Sequence, residues 1–192
     1  MPVQSKMTES LQIIYDRLGS DEFSDEPRTR EFRSALKTFG KIVGRSLSEI
    51  PAEPMQIRGL LNRAPWRLHG IAERSFFNCR SRVAATLRLF GYRVDRRRNF
   101  KLSAEWEALL APLDRRDRDE LHRFGGWCSA TEIPPIEVTQ EVFDRFLSDI
   151  EASSLQRHPR QRAQVARRAW NRCVPGRLLT AAPVLEPPEA PA

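Results

Sequence analysis

The stretch HPRQRAQVARRAWNRC, residues 158–173, sets the terms on which the rest of the chain is read. Pro159 suits a first helical position, where a missing N–H costs nothing and its fixed φ is already helical. From there Val165, Ala169, Trp170 and Cys173 recur at helical spacing and form an apolar inner side. Strict alternation, the mark of a half-buried strand, is absent. Arg160, Gln164, Arg167 and Arg168 fall opposite that inner side, Arg157 projects with them if the helix begins slightly early, and Arg172 lies at the flank. Pro175 and Gly176 then stop the helix. No acidic residue occurs between Ala152 and Leu185, so these arginines lack ion-pair partners nearby in the sequence. A helix fits the major groove of duplex DNA, where Arg bonds guanine or a phosphate and Gln bonds adenine. The competing reading is a solvated helix whose Arg stems cover apolar surface.

Working outward, every other long periodic segment is also predicted to be helical, and no hairpin signal or alternating run competes. Thr139 caps a helix with Val142, Phe143, Phe146, Leu147 and Ile150 facing inward. Asp114, followed three residues later by Asp117, resembles a capping box and opens a helix with Leu121, Phe124, Trp127 and Cys128. Ser103 caps a short helix holding Trp106, Leu109 and Leu110. Upstream, helices are predicted from Thr8 to Gly19, from Pro27 to Gly44, from Pro54 through Leu61, and from about Ala72 to Phe90. The second of these carries Phe32, Ala35, Leu36, Phe39 and Val43 on one side and Arg30, Arg33, Lys37 and Lys41 on the other. The expected fold is all-α, as two small helical bundles joined by a basic linker. The boundaries expected are an N-terminal helix and acidic linker over 1–26, a bundle over 27–92, the linker over 93–102, a DNA-binding bundle over 103–177, and a disordered Pro-rich tail over 178–192.

Charge is distributed in blocks along the 192 residues. The net is −4 over 1–26, +13 over 27–101, −7 over 102–151, +7 over 152–184 and −2 over the last eight residues, summing to +7. Two basic surfaces separated by an acidic one point first to nucleic acid and second to an acidic partner protein. A GC-rich coding bias would also favour 28 Arg over 4 Lys without any such purpose. Arg96, Arg97 and Arg98 in the linker can lie along a DNA backbone as sequence-independent phosphate contacts.

Signals for catalysis are sparse. No Gly-rich phosphate loop, HExxH, GxSxG or acidic metal cluster occurs. His69, His122 and His158 are isolated from one another, and Cys79, Cys128 and Cys173 form no CxxC, so neither a metal site nor any cofactor is expected. The run DRRDRDE, residues 114–120, reads as i,i+3 and i,i+4 pairing on a solvated face. With no signal-peptide core and no apolar run long enough to span a bilayer, a cytoplasmic location is expected, without membrane partners.

From Trp106 onward the succession W-E-A-L-L, L-H-R-F-G-G-W-C-S-A-T-E-I-P-P, V-T-Q-E-V-F-D-R-F and H-P-R…R-A-W-N-R-C resembles the core-binding region of tyrosine recombinases, the phage-integrase family. Upstream, F-R-S-A-L-K…I-P-A-E-P and N-C-R-S-R-V…L-F-G-Y resemble the part that precedes that region, so the likeness covers most of residues 28–177. It rests on dispersed helical positions rather than on a catalytic signature. The resemblance implies a SAM-like helical bundle that lies across a recombination half-site and works with a separate catalytic domain. That domain would supply an Arg, a Lys, an H-x-x-R pair, a further His or Trp, and a nucleophilic Tyr. Tyr15 and Tyr92 both precede the core-binding region and no His begins H-x-x-R, so strand cleavage by this chain is not expected. The expected function is therefore double-stranded DNA binding in integration or recombination, as an accessory factor, a split-gene product or a truncated integrase. Arg160, Gln164, Arg167 and Arg168 would read base edges, and Arg96, Arg97, Arg98, Arg157 and Arg172 would hold phosphates. A catalytic recombinase subunit or other protomers on the DNA would be partners. The alternative is a helical interaction module whose basic faces bind an acidic protein.

Overall fold

The structure, a computed structural model, describes residues 9–23, 26–94 and 101–187. Among these the secondary structure is helical, with no strand beyond two isolated bridges, Ser10 with Pro51 and Pro175 with Leu179. The α-helices are α1 Leu11–Arg17, α2 Thr29–Val43, α3 Pro54–Arg63, α4 Glu73–Leu89, α5 Ala104–Leu110, α6 Arg115–Ala130, α7 Gln140–Ser153 and α8 Pro159–Cys173. The chain divides into two compact units, Met1–Asp95 with Ser153–Arg157, and Arg96–Ala152 with His158–Ala192.

In the first unit α2 packs chiefly on α4. The apolar stripe of α2, Phe32, Ala35, Leu36, Phe39 and Ile42, is buried, and Gly44 ends the helix in the left-handed region at φ 66°. Phe76, Cys79, Val83 and Leu87 of α4 complete the same core. Within the segment expected as an N-terminal helix and acidic linker over 1–26, α1 packs into this core. Leu11, Ile14 and Leu18 are within 1% of full burial in this core, and the Leu11 N–H donates to the Ile50 carbonyl. Leu11 and Ile14 of α1, with Leu18 at its C-cap, gain more by packing here than by exposure. Residues 153–157 also enter this unit. Leu155 joins its core, Arg58 donates to the Ser154 carbonyl at 3.0 Å, and Asn62 donates to the Arg157 carbonyl at 3.3 Å.

The second unit is built on α6 against α8, with α5 and α7 closing the core. Its centre is aromatic: Phe124 meets Trp106, Phe143 and Trp170 edge-on, with centroids 5.7, 5.7 and 5.9 Å away. The buried indoles keep hydrogen-bond partners, Trp106 donating to the Ile133 carbonyl and Trp127 to Asp149. Caps follow the sequence signals. Ser103 accepts from the Trp106 N–H, Asp114 from the Asp117 N–H, and Thr139 from the Val142 N–H.

The tail departs from expectation. From Leu178 to Pro187 it is not a disordered Pro-rich end. Leu185 is 1% exposed in the core of the second unit, and the Trp170 indole donates to the Pro183 carbonyl at 3.0 Å. One well-placed leucine and a buried indole that needs an acceptor outweigh the local composition.

Candidate nucleic-acid interface

The geometry of α8 decides which of its arginines face outward. Its buried side is Pro159, Ala163, Ala166, Ala169, Trp170 and Cys173, an i,i+3/i+4 stripe in which small alanines let α8 approach α6. The expected inner residue Val165 is only half-buried. The helix is thus rotated from the sequence-based wheel, and its outward side carries Gln161 and Arg168, both exposed, with Gln164 half-buried beside them and Arg162 exposed at the flank.

Three of the expected DNA contacts are instead occupied within the fold. Arg160 Nε donates to Glu151 at 2.6 Å, and Glu151 sits one position before the acid-free stretch begins. Arg172 reaches across to α6, where its guanidinium binds Asp117 and also Glu120 at 3.0 Å. That pairing raises the Arg172 pKa, the Asp117 bond being the main cause, and holds Asp117 below its ordinary value. Arg167 is half-buried and donates through Nη1 to the Leu185 carbonyl at 3.1 Å. The lack of local acidic neighbours in sequence was therefore no guide to pairing in space. Helix packing brings in carboxylates from α6 and α7, and the tail supplies a carbonyl.

The remaining expected residues are Arg168 and Gln164, which share the outward side of α8, and Arg157, which is exposed but lies before the helix in the segment that belongs to the first unit. Arg96, Arg97 and Arg98 lie outside the described residues. Two further residues of the second unit were missed in the sequence. They are Arg162 of α8 and Arg123 of α6. Burial first, and the Arg162 charge second, push the Arg123 guanidinium down to about 10. The signal was available, since Arg162 belongs to the acid-free run, but it falls outside the arc the wheel selected. Among the described residues, no carboxylate is paired with Arg162 or Arg168.

The basic stripe of the first unit is partly consumed as well. Arg33 and Lys37 lie 4.3 and 5.4 Å from the ring centre of Tyr15 on α1, and lower its pKa chiefly through the Lys37 hydrogen bond. Arg30 and Lys41 remain exposed. A second basic region of this unit surrounds apolar surface. Trp66 stacks on Phe76 with centroids 5.1 Å apart, Arg67 covers Trp66 at 5.0 Å and Arg80 covers Phe77 at 4.8 Å. Leu68 is 87% exposed beside them.

Among the described residues there is no group of three or more His, Cys, Asp or Glu able to hold a metal ion, and no helix long and apolar enough to cross a membrane. Cys79 and Cys173 are pushed up to about 11 and Cys128 also upward, each mainly by burial, so none is poised as a thiolate nucleophile. No family model, curated protein or solved structure matches the chain.

Proposed function

We propose that the chain binds double-stranded DNA through the second unit, as a module resembling the core-binding region of a tyrosine recombinase. The observation that carries the reading is the outward side of α8, where Gln161, Gln164 and Arg168 stand with Arg162 at the flank and no carboxylate pairs the two arginines among the described residues. Arg162 and Arg168 supply phosphate contacts and Gln161 and Gln164 can read base edges. Arg160, Arg167 and Arg172 are assigned to the fold. Other protomers or a catalytic recombinase subunit on the same DNA are the partners this reading implies.

The test is anisotropy of a labelled 30-base-pair duplex, titrated at several salt concentrations. Affinity should fall steeply with salt, as for any phosphate-dominated complex. Arg162→Ala with Arg168→Ala should weaken binding at least tenfold and lower the salt slope by about 2, one unit for each phosphate contact removed. Unchanged affinity in a folded double variant rejects the proposal. A second reading, an acidic protein as partner, is favoured by the Trp66–Leu68 region, where arginines cover aromatic rings beside an exposed leucine. It requires a stable protein complex that Arg67→Ala with Leu68→Ala disrupts, and no salt-dependent DNA binding.

A further inference from the structure

The way the tail is held is not ordinary apolar docking. Asn171 on α8 grips Leu185 at both backbone groups, its Nδ2 donating to the Leu185 carbonyl at 2.8 Å and its Oδ1 accepting the Leu185 N–H at 2.8 Å. Gln140, the first residue of α7, does the same for the next residue: Oε1 accepts the Glu186 N–H at 2.6 Å and Nε2 donates to the Glu186 carbonyl at 3.4 Å. Arg167 adds a second donor to the Leu185 carbonyl at 3.1 Å, and the Trp170 indole takes the Pro183 carbonyl at 3.0 Å. Gln140 is itself steadied by Asp144, which accepts from its Nε2 at 3.0 Å. Between these grips the side chains alternate. Val184 is 67% exposed, Leu185 is 1% exposed, and Glu186 is exposed again.

A side-chain amide pairs with a peptide group as another peptide does, one donor and one acceptor in a plane. Two consecutive residues read in this way, with one aliphatic side chain taken into a pocket, make a site for extended polypeptide. It reads backbone generally and selects only at the leucine position. We propose that Gln140, Arg167, Trp170 and Asn171 form a peptide-binding groove, and that residues 183–186 are its displaceable ligand, bound in cis. The ligand class is an extended segment with a leucine-sized residue followed by one that keeps its N–H. Pro187, which has no N–H, comes immediately after the second grip. Held on its own chain, the tail has an effective concentration of about 1 mM or more and masks the groove from competitors. When it leaves, the Arg167 guanidinium loses the Leu185 carbonyl. The proposal is independent of DNA binding.

The experiment uses the full chain carrying Leu185→Asp, which evicts the tail, and a fluorescein-labelled peptide TAAPVLEP, residues 180–187. Saturable binding is expected. The wild-type chain should bind at least tenfold more weakly because its groove is filled. Adding Asn171→Ala to the Leu185→Asp chain, or placing Asp at the leucine of the peptide, should each reduce binding at least tenfold. A folded Leu185→Asp chain that fails to bind the peptide overturns the proposal. Should that variant not fold, amide exchange of the wild-type chain decides. The Leu185 and Glu186 amides must be protected, yet open faster than the core amides of α8. Free exchange, or opening only with global unfolding, overturns the proposal equally.

Discussion

Gly125 shows how tightly a single position is constrained in the second unit. A Cβ there would lie 2.7 Å from Cε3 of Trp106, an indole that is fully buried and hydrogen-bonded through its nitrogen. Overpacking against such a ring costs about 1–3 kcal/mol, while the helix-propensity gain of replacing Gly by Ala is at most ~1 kcal/mol. Gly125→Ala should therefore lower the denaturant midpoint, and an unchanged or higher midpoint would show that Trp106 can move. At Asp117 the sign of a pH effect can be worked out. Its carboxylate accepts from Arg172 and from the Cys173 thiol, and these bonds hold its pKa below the ordinary 3.8. The stability they contribute is fully present above that ordinary value and is lost as pH falls through the depressed one. Asp117→Asn should destabilise the chain at pH 7 and flatten the acid limb of its stability profile below about pH 4. Parallel profiles would refute the role. None of this was legible in the sequence, because Asp117 and Arg172 are far apart along the chain, whereas the cap that Asp114 provides is local and was legible.

For α8 the sequence predicts type and limits well but not rotation. Pro159 and the stop at Pro175–Gly176 are local signals, and the helix runs Pro159–Cys173 as they require. Its azimuth is set instead by what it meets. The alanines at 163, 166 and 169 are buried on the packed side of α8, and composition alone ranks them below Val165 as core residues. That shift moves Arg167 to a flank the tail covers and leaves Arg168 outward. The neighbouring helices were easier, since the Phe143, Phe146, Leu147 and Ile150 stripe of α7 is bulky and all of it is buried. The tail was misread because Pro and Ala content describes an average, while one Leu185 side chain and the paired grips of Asn171 and Gln140 decide the outcome.

Across the whole molecule, the all-helical class was legible because every long segment shares one period and none carries hairpin chemistry. The makeup of the units was less so. Residues 153–157 fall inside the bundle expected over 103–177, yet Leu155 is 6% exposed within the first unit's core. Leu155→Ala should cost about 2–4 kcal/mol, and amide exchange should register the loss in α2 and α4. Unaltered exchange there would mean that this segment does not support the unit. The same arrangement bears on synthesis at the ribosome. The first unit lacks Leu155 of its core when residue 95 emerges, because that residue is encoded some sixty codons later. At 5–20 residues per second that is a wait of about 3–12 s, in which the nascent chain shows an unfinished apolar seam, and a clustering of slow codons before position 153 would lengthen it.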